Sequence, residues 1–143
     1  MPRMRLWLIA ATIWMLAGCG TPSVTHSPGA DLSQARTFYV QKLPADQRGI
    51  EKQFARQLNE WGYQATTGTE AKPATPVDAV LKYEDRWRWF GGRLFMWRLN
   101  VQIFDGHTTA LLTSAEQPGS TAESVPPEEM VKAVLQLALK RTD

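Results

Sequence analysis

The feature that most constrains the fold of this 143-residue chain is a pair of long segments in which apolar and polar residues alternate. The first segment is 79-AVLKYEDRWRW-89, and the second is 95-FMWRLNVQIF-104. The residues of the apolar parity are Ala79, Leu81, Tyr83, Trp87, Trp89, Phe95, Trp97, Leu99, Val101 and Ile103. Because successive side chains of a strand point to opposite faces of a sheet, each segment predicts a half-buried strand, and the two predict an antiparallel hairpin.

The register of this hairpin follows from the requirement that one face stay apolar. A two-residue turn at Gly91-Gly92 would move Phe95 and Trp97 to the polar face, since a slip of one residue exchanges the two faces. A three-residue loop over residues 91–93 avoids this conflict and suits a bulge that contains a glycine at positive φ. It predicts four apolar pairs: Trp89 with Phe95, Trp87 with Trp97, Tyr83 with Val101, and Leu81 with Ile103.

The opposite face of the predicted hairpin is rich in arginine. Arg86 is expected opposite Arg98, Arg88 is expected opposite Met96, and Arg93 is expected at the loop. One interpretation is a solvated surface above an aromatic core. The other is a binding surface made of the four arginines, because a guanidinium donates two hydrogen bonds at once to a phosphate or a carboxylate.

The segments on either side of the hairpin predict two helices and one more strand. Residues 36–41 are rich in β-branched and aromatic side chains and predict a short strand. Residues 46–63 place apolar side chains on one face at helical spacing, and Asp46 suits the start of that helix. Residues 126–141 begin with prolines and acidic residues and end with basic ones, which is typical of a complete helix.

A tight turn is also expected after the second strand. Asp105-Gly106 predicts a two-residue turn that pairs Val101 with Ala110 in a third strand of the meander, residues 108–116. The order of the elements is then strand, helix, strand meander, helix. This order predicts an α+β domain in which two helices pack on one face of an antiparallel sheet.

The N-terminus predicts export from the cytoplasm. Arg3 and Arg5 precede an uncharged apolar run over residues 6–16, which is shorter than a membrane-spanning helix. The run ends in Leu16-Ala17-Gly18-Cys19, which resembles the lipobox of bacterial lipoproteins. The resemblance implies that residues 1–18 are a signal peptide and that Cys19 carries a diacylglycerol group and an N-acyl chain.

The residues after Cys19 suggest where the mature protein resides. The resemblance implies sorting to the outer membrane, because Gly20 replaces the Asp that retains such proteins in the inner membrane, and it implies a domain in the periplasm. Residues 19–30, rich in Gly, Pro, Ser and Thr, predict a flexible tether, and residues 31–143 predict a single domain. Since the chain has one Cys, disulfides, thiol redox sites and Cys-based zinc sites are not expected.

Processing at Cys19 would also change the charge of the protein. The chain has 16 lysines and arginines and 14 acidic residues. Arg3 and Arg5 belong to the predicted signal peptide, so the mature chain has equal numbers of both signs. A neutral, exported domain is not expected to bind nucleic acid.

Short motifs in the mature chain, most of them structural, resemble those of a second, narrower family. They are Asp31-Leu32-Ser33, Thr37-Phe38, Gly62-Tyr63 after the first helix, the strand that starts at Asp78, and the closing helix 126–141. This pattern is similar to that of a family of small Gram-negative outer-membrane lipoproteins of unknown function. The resemblance implies the fold, but it brings no activity and no catalytic residues.

No arrangement of residues predicts catalysis. His26 and His107 are far apart in the sequence and lack the spacing of a metal site. Glu84 and Asp85 are neighbours on a strand, so they point to opposite faces and cannot form a carboxylate pair. Asp85 is expected either near an edge or bonded to a tryptophan indole N–H. We therefore predict a protein that is not an enzyme and that has no metal or other cofactor besides the acyl groups.

Two functional hypotheses remain. The first is a membrane-anchored, non-enzymatic binding or scaffolding module in which Arg86, Arg88, Arg93 and Arg98 contact an anionic envelope component. Its candidate partners are lipid headgroups, lipopolysaccharide, peptidoglycan or an acidic protein surface. The second is a structural or assembly subunit of an envelope protein complex, which contacts other chains through an open sheet edge.

Overall fold

Six strands and two helices make up the part of the chain that the computed structural model describes, residues 20–120 and 124–141. Their bounds are β1 Ser23–His26, β2 Thr37–Gln41, α1 Ile50–Glu60, β3 Gln64–Gly68, β4 Ala79–Phe90, β5 Arg93–Asp105, β6 Leu111–Pro118 and α2 Pro127–Leu139. The predicted signal peptide and the lipidation site Cys19 lie outside the described residues.

The strands form one sheet in the order β1-β6-β5-β4-β2-β3. β1, β6, β5 and β4 pair antiparallel, whereas β2 runs parallel to both β3 and β4. The predicted α+β class with two helices is confirmed, but the prediction of a purely antiparallel sheet is wrong. The reason is that α1 carries the chain from the end of β2 back to the start of β3, and a helical crossover of this kind joins parallel strands.

Asp78 determines how the parallel strands β2 and β4 align. Its Oδ2 accepts hydrogen bonds from the backbone N–H groups of Arg36 (2.8 Å) and Thr37 (3.0 Å), while its own N–H donates to Thr37 Oγ1 (2.8 Å). The two backbone hydrogen bonds lower the pKa of Asp78. Together these bonds bring the start of β2 beside the start of β4, with Phe38 opposite Ala79.

The apolar core lies between the sheet and the two helices. α1 contacts β2 and β3, α2 contacts β5, β6 and β1, and the helices contact each other. The largest fully buried side chains are Phe38, Ile50, Phe54, Leu58, Leu81, Met96, Leu99, Ile103, Met130 and Leu135. The helical stripes predicted in residues 46–63 and 126–141 are confirmed as the faces that pack on the sheet.

The predicted flexible tether, residues 19–30, contains an ordered strand. β1 pairs antiparallel with β6, with Ser23 opposite Glu116 and His26 opposite Thr113. Thr113 Oγ1 also donates to the carbonyl oxygen of Thr25 (3.1 Å) and is 2.8 Å from His26 Nδ1. The sheet therefore begins at Ser23, because the free edge of β6 offers backbone partners to a short polar segment that has no apolar pattern of its own.

The β4–β5 hairpin follows the predicted register near its base and departs from it near its turn. Tyr83 lies opposite Val101 and Arg86 opposite Arg98, as predicted. Toward the turn, the pairs are Trp87 with Met96, Arg88 with Phe95 and Trp89 with Leu94. Two predicted pairs are therefore wrong, Trp87 with Trp97 and Trp89 with Phe95. The prediction that Met96 lies beside the arginines is also wrong.

The extra residue that distinguishes the two registers lies in a β-bulge, not in the turn. The pairing shifts between Arg86 and Trp87, which leaves Trp97 without a partner on β4. Gly91 and Gly92 have φ of 57° and 75° and form the two-residue turn. Two positive φ values are what the tightest hairpin turn requires, and the bulge then returns Met96 to the core face, where its exposure is only 2%.

The turn between β5 and β6 is longer than predicted. Asp105 Oδ1 accepts hydrogen bonds from the backbone N–H groups of His107 (2.8 Å) and Thr108 (2.9 Å), and Asp105 N–H donates to the carbonyl oxygen of Ala110 (2.8 Å). Together with a shift in the pairing between Ile103 and Phe104, the wider turn places Val101 opposite Ala115 and not opposite Ala110. The side chain of Asp105 stabilises the wider turn, since an Asp side chain caps backbone N–H groups two and three residues further on.

Candidate functional site

The β4–β5 hairpin extends beyond the rest of the sheet. β2 pairs with β4 only over residues 79–81, and β6 follows β5 only as far as Arg98, opposite Pro118. Within the described residues, the outer side of β4 therefore has no neighbouring strand from residue 82 to residue 90. Beyond Arg98 the hairpin extends past both neighbouring strands by about five residues per strand, or roughly 15 Å, and within this length Met96 and Phe95 stay buried.

Two exposed aromatic residues, Trp89 and Phe90, lie at the end of this hairpin, and we call them the aromatic tip. Trp89 is 70% exposed and Phe90 is 60% exposed. The ring of Phe90 meets the buried ring of Phe95 edge-on, with centroids 6.3 Å apart. Trp89 has the parity of the core but lies beyond the helices. Neighbouring exposed aromatic side chains favour an interaction site at this turn.

The four arginines predicted as a binding surface share the hairpin face opposite the helices. Arg86 and Arg88 alternate with the core-facing residues of β4, and Arg98 is the cross-strand partner of Arg86. Arg93 is the cross-strand partner of Phe90, which has the same parity as Arg86 and Arg88, and cross-strand partners share a face. With Trp97 these arginines form what we call the arginine–tryptophan surface. The structure brings the four together, and their binding role stays a prediction.

Trp97 joins two of these arginines. The guanidinium carbon of Arg88 lies 4.4 Å from the centroid of the Trp97 ring, and that of Arg98 lies 4.5 Å from it. Each contact of this kind stabilises an exposed site by about 0.5–1 kcal/mol, which offsets the repulsion between neighbouring cations. The sequence pattern does not reveal this role, because Trp97 has the parity of the apolar residues and is expected in the core. The signal that could have revealed it is the Gly-Gly turn, which favours the register with a bulge.

Carboxylates balance part of the positive charge on this surface. Arg86 Nη2 lies 2.6 Å from Glu84 Oε1, and both side chains are about half exposed. Arg98 Nε lies 3.4 Å from Glu116 Oε1 without forming a hydrogen bond. Within the described residues, no ion pair joins Arg88 or Arg93 to a carboxylate. These two arginines are therefore the ones most available to an anionic partner.

The start of the described chain lies against the same surface. An open depression of about 480 Å³ is lined by Gly20, Thr21, Arg88, Trp97, Arg98, Glu116, Pro118, Gly119 and Ser120. A Cβ placed on Gly20 would be 3.8 Å from the Cβ of Pro118. In the sequence, Gly20 directly follows the predicted lipidation site, Cys19.

On the opposite face of the hairpin, Asp85 bonds to a tryptophan, which confirms one of the two predicted placements. Trp87 Nε1 donates a hydrogen bond to Asp85 Oδ2 over 2.6 Å. The guanidinium carbon of Arg48, from the loop before α1, lies 4.5 Å from the centroid of the Trp87 ring. The hydrogen bond to Asp85 orients the Trp87 ring, and the contact with Arg48 attaches this part of the β4–β5 hairpin to the loop before α1.

A buried carboxylate, Asp46, organises that loop. Asp46 Oδ2 accepts hydrogen bonds from the N–H of Ile50 (2.8 Å) and from the hydroxyl of Tyr83 (2.7 Å), and Oδ1 accepts from the N–H of Arg48 (2.7 Å). Burial raises the pKa of Asp46, but the hydrogen bonds outweigh burial and the pKa lies below its ordinary value. Burial, and then the bond to Asp46, raise the pKa of Tyr83. α1 begins at Ile50, four residues after the predicted start, with Gly49 as its N-cap residue, and Asp46 binds the first N–H of the helix from the preceding loop.

The structure does not bring the two histidines of the mature chain together. His26 lies in β1 beside Thr113, and burial, followed by the charge of Lys140, lowers its pKa. His107 lies in the exposed turn after β5. Between residues 20 and 141, apart from the undescribed 121–123, no three His, Cys, Asp or Glu side chains are placed to hold a metal ion. The non-enzymatic role stays a prediction.

None of the helices in the described part of the chain is long and apolar enough to span a membrane.

The chain shares its fold with solved bacterial proteins. No family model and no curated protein matches its sequence. The PelC dodecamer from Paraburkholderia phytofirmans matches with 16% identity, over 85% of this chain and 97% of that chain, with a TM-score of 0.57. The dodecamer of a PelC variant from the same organism, in which one leucine is replaced by methionine, matches with 17% identity over 82% and 96%, with a TM-score of 0.58.

A third match is to part of a larger protein. A PDZ domain protein from Parabacteroides distasonis matches with 12% identity and a TM-score of 0.52 over 83% of this chain. The match covers 34% of that protein, so this chain spans about a third of its length. At these identities the three matches establish a common fold.

Proposed function

We propose that the chain is a non-enzymatic scaffolding subunit of the bacterial envelope, anchored by acyl chains on Cys19 and assembled with further copies of itself. The proposed location is the periplasmic side of the outer membrane, as the resemblance of Leu16-Ala17-Gly18-Cys19 to the lipobox implies. The observation that supports this assembly is that, within the described residues, the outer side of β4 has no neighbouring strand over residues 82–90.

The backbone of β4 over residues 82–90 has a strand on one side only in the described part of the chain. An exposed edge of this length presents a row of N–H and C=O groups that can pair with a strand of another chain. The end-to-end match to PelC supports the proposal, because the solved forms of that protein are dodecamers and the match extends over almost its whole length. Repeated contacts of one surface with a different surface of the next copy form a ring when the rotation between copies closes.

A crosslinking experiment in cells tests the assembly. A photoreactive amino acid in place of Glu84, which is exposed on β4, is expected to crosslink two copies of the full-length chain. The same amino acid in place of Lys132, which is exposed on α2, is the matched control and is expected to give at least about tenfold less of the two-copy product. Mass spectrometry of the product identifies the chains. Equal yields at both positions, or adducts with unrelated proteins alone, would contradict self-assembly.

A second candidate function is the binding of an anionic envelope component by the arginine–tryptophan surface. The observation that favours it is that Arg88 and Arg93 have no ion pair with a carboxylate of the described residues. Arginine suits this role because its planar fork binds phosphate oxygens in pairs.

A further inference from the structure

The first described residues, Gly20 and Thr21, and the cationic hairpin lie at the same end of the molecule. β1 pairs with β6 so that Ser23 lies opposite Glu116, and the preceding residues continue past Pro118 toward the hairpin. Gly20 and Thr21 share one depression with Arg88 and Trp97. Consecutive Cα atoms are about 3.8 Å apart, so the acyl groups proposed on Cys19 would start next to this surface.

The same face of the hairpin also carries an exposed apolar group. Phe90 shares its face with Arg88, because residues two apart in a strand point to the same side, and it is 60% exposed. Its neighbour at the turn, Trp89, is 70% exposed. Aromatic rings beside cationic side chains are typical of protein segments at a membrane–water interface.

The charge on this face complements a phosphate layer. Within the described residues, this face carries four arginines and the two carboxylates of Glu84 and Glu116. Its net charge is therefore positive. Arg88 and Arg98 are held in place by stacking on Trp97, which reduces the conformational freedom that they lose when a ligand binds. A short link from Cys19 keeps the face near the bilayer at high effective concentration.

We propose that this hairpin face lies on the headgroup layer of the same leaflet that holds the acyl chains of Cys19. Arg88 and Arg93 bind the phosphate groups of anionic phospholipids, and the aromatic tip enters the interface. The hairpin thus fixes the orientation of the domain relative to the membrane. This inference rests on the proposed acylation of Cys19 and is independent of the proposed assembly through β4.

A fluorescent label on the aromatic tip tests this docking. Because Cys19 is the only Cys and would be acylated, a cysteine introduced by Phe90→Cys is the single free thiol of the mature protein, and an apolar aromatic fluorophore attached to it takes the place of the Phe90 ring. The acylated full-length variant is reconstituted in vesicles of phosphatidylethanolamine and phosphatidylglycerol that contain nitroxide-labelled lipid. The Lys132→Cys variant, labelled on the exposed side of α2, is the matched control. We expect quenching by the nitroxide to be at least about threefold stronger at position 90 than at position 132.

Charge reversal tests the role of the arginines. Arg88→Glu together with Arg93→Glu is expected to reduce quenching at position 90 to the level of the control, while the double change to lysine retains most of it. An unchanged circular dichroism spectrum shows that the variants fold. Equal quenching at positions 90 and 132, or quenching at position 90 that persists after charge reversal, would overturn the proposal. Flotation of the unlabelled protein with the vesicles checks the anchor separately. A protein that does not float with the vesicles would show that Cys19 does not anchor it, and this would overturn the proposal, which assumes that anchor.

Discussion

Asp46→Ala is expected to lower the free energy of unfolding by about 3 kcal/mol, which corresponds to a fall of roughly 10–15 °C in Tm. The substitution leaves three donors without their acceptor: the N–H of Ile50 at the start of α1, the N–H of Arg48 and the buried hydroxyl of Tyr83. An unpaired buried donor costs about 1–3 kcal/mol, and part of that cost is recovered when water reaches the loop. Urea denaturation followed by circular dichroism measures the change.

A matched control uses another aspartate that accepts a backbone N–H. Asp31 Oδ1 accepts from the N–H of Ser33 in an exposed turn (2.8 Å), so Asp31→Ala is expected to change stability by about 0.5 kcal/mol or less. Tyr83→Phe combined with Asp46→Ala gives the coupling between the two side chains, since contacting residues do not act additively. Equal losses for Asp31→Ala and Asp46→Ala would show that Asp46 does not organise the loop.

The pH dependence of the Asp46 effect has a definite sign. The pKa of Asp46 is lowered in the folded state, so its carboxylate stabilises the fold above the ordinary Asp pKa of about 3.9. That contribution is lost as pH falls through the lower, folded-state value. The difference in unfolding free energy between the native chain and Asp46→Asn is therefore expected to be constant from neutral pH down to about pH 5 and to shrink at more acidic pH.

Cys19→Ala is expected to move the protein from the membrane fraction to the soluble fraction almost completely. Each buried CH₂ group of an acyl chain contributes about 0.8 kcal/mol to membrane binding, and no other residue of the lipobox can accept the thioether-linked diacylglycerol. The measurement is fractionation of cells after a carbonate wash, with an antibody against the domain. The intact mass of the native protein, which is expected to include the acyl groups, provides the independent check.

Ser23→Ala is the control for this experiment, because Ser23 lies close to Cys19 in the sequence but in β1. That variant is expected to stay with the membranes. If the Cys19→Ala protein also stayed there after the wash, the acyl anchor would be wrong. Such a result would leave the fold and the edge of β4 unaffected.

The amphipathic pattern of the hairpin and the helices could be predicted, because each depends on local spacing alone. Tyr83 and Val101 face each other, and Phe54 and Leu58 are buried, as their periodicity indicates. Whether two strands pair parallel or antiparallel does not follow from local spacing. The parallel pairing of β2 with β4 depends on the crossover through α1 and on the hydrogen bonds of Asp78, which involve residues more than 40 positions apart.

The candidate site could be predicted in part. The four arginines alternate with apolar residues, so their common face follows from the sequence. The position of the bulge does not, because a longer turn and a bulge at Trp97 both absorb the extra residue. The nearness of Gly20 to Trp97 depends on the pairing of β1 with β6, and a four-residue polar strand gives no signal that separates it from a tether.

The mass of the assembled protein tests the scaffolding role most directly. The acylated full-length chain, extracted from membranes in a mild detergent, is measured by native mass spectrometry over a range of concentrations. The proposed assembly predicts one dominant species that contains several copies of the chain, and it predicts that Asp85→Pro, which removes an N–H on the free side of β4, reduces this species to single chains. A single chain at every concentration from the native protein would contradict the account.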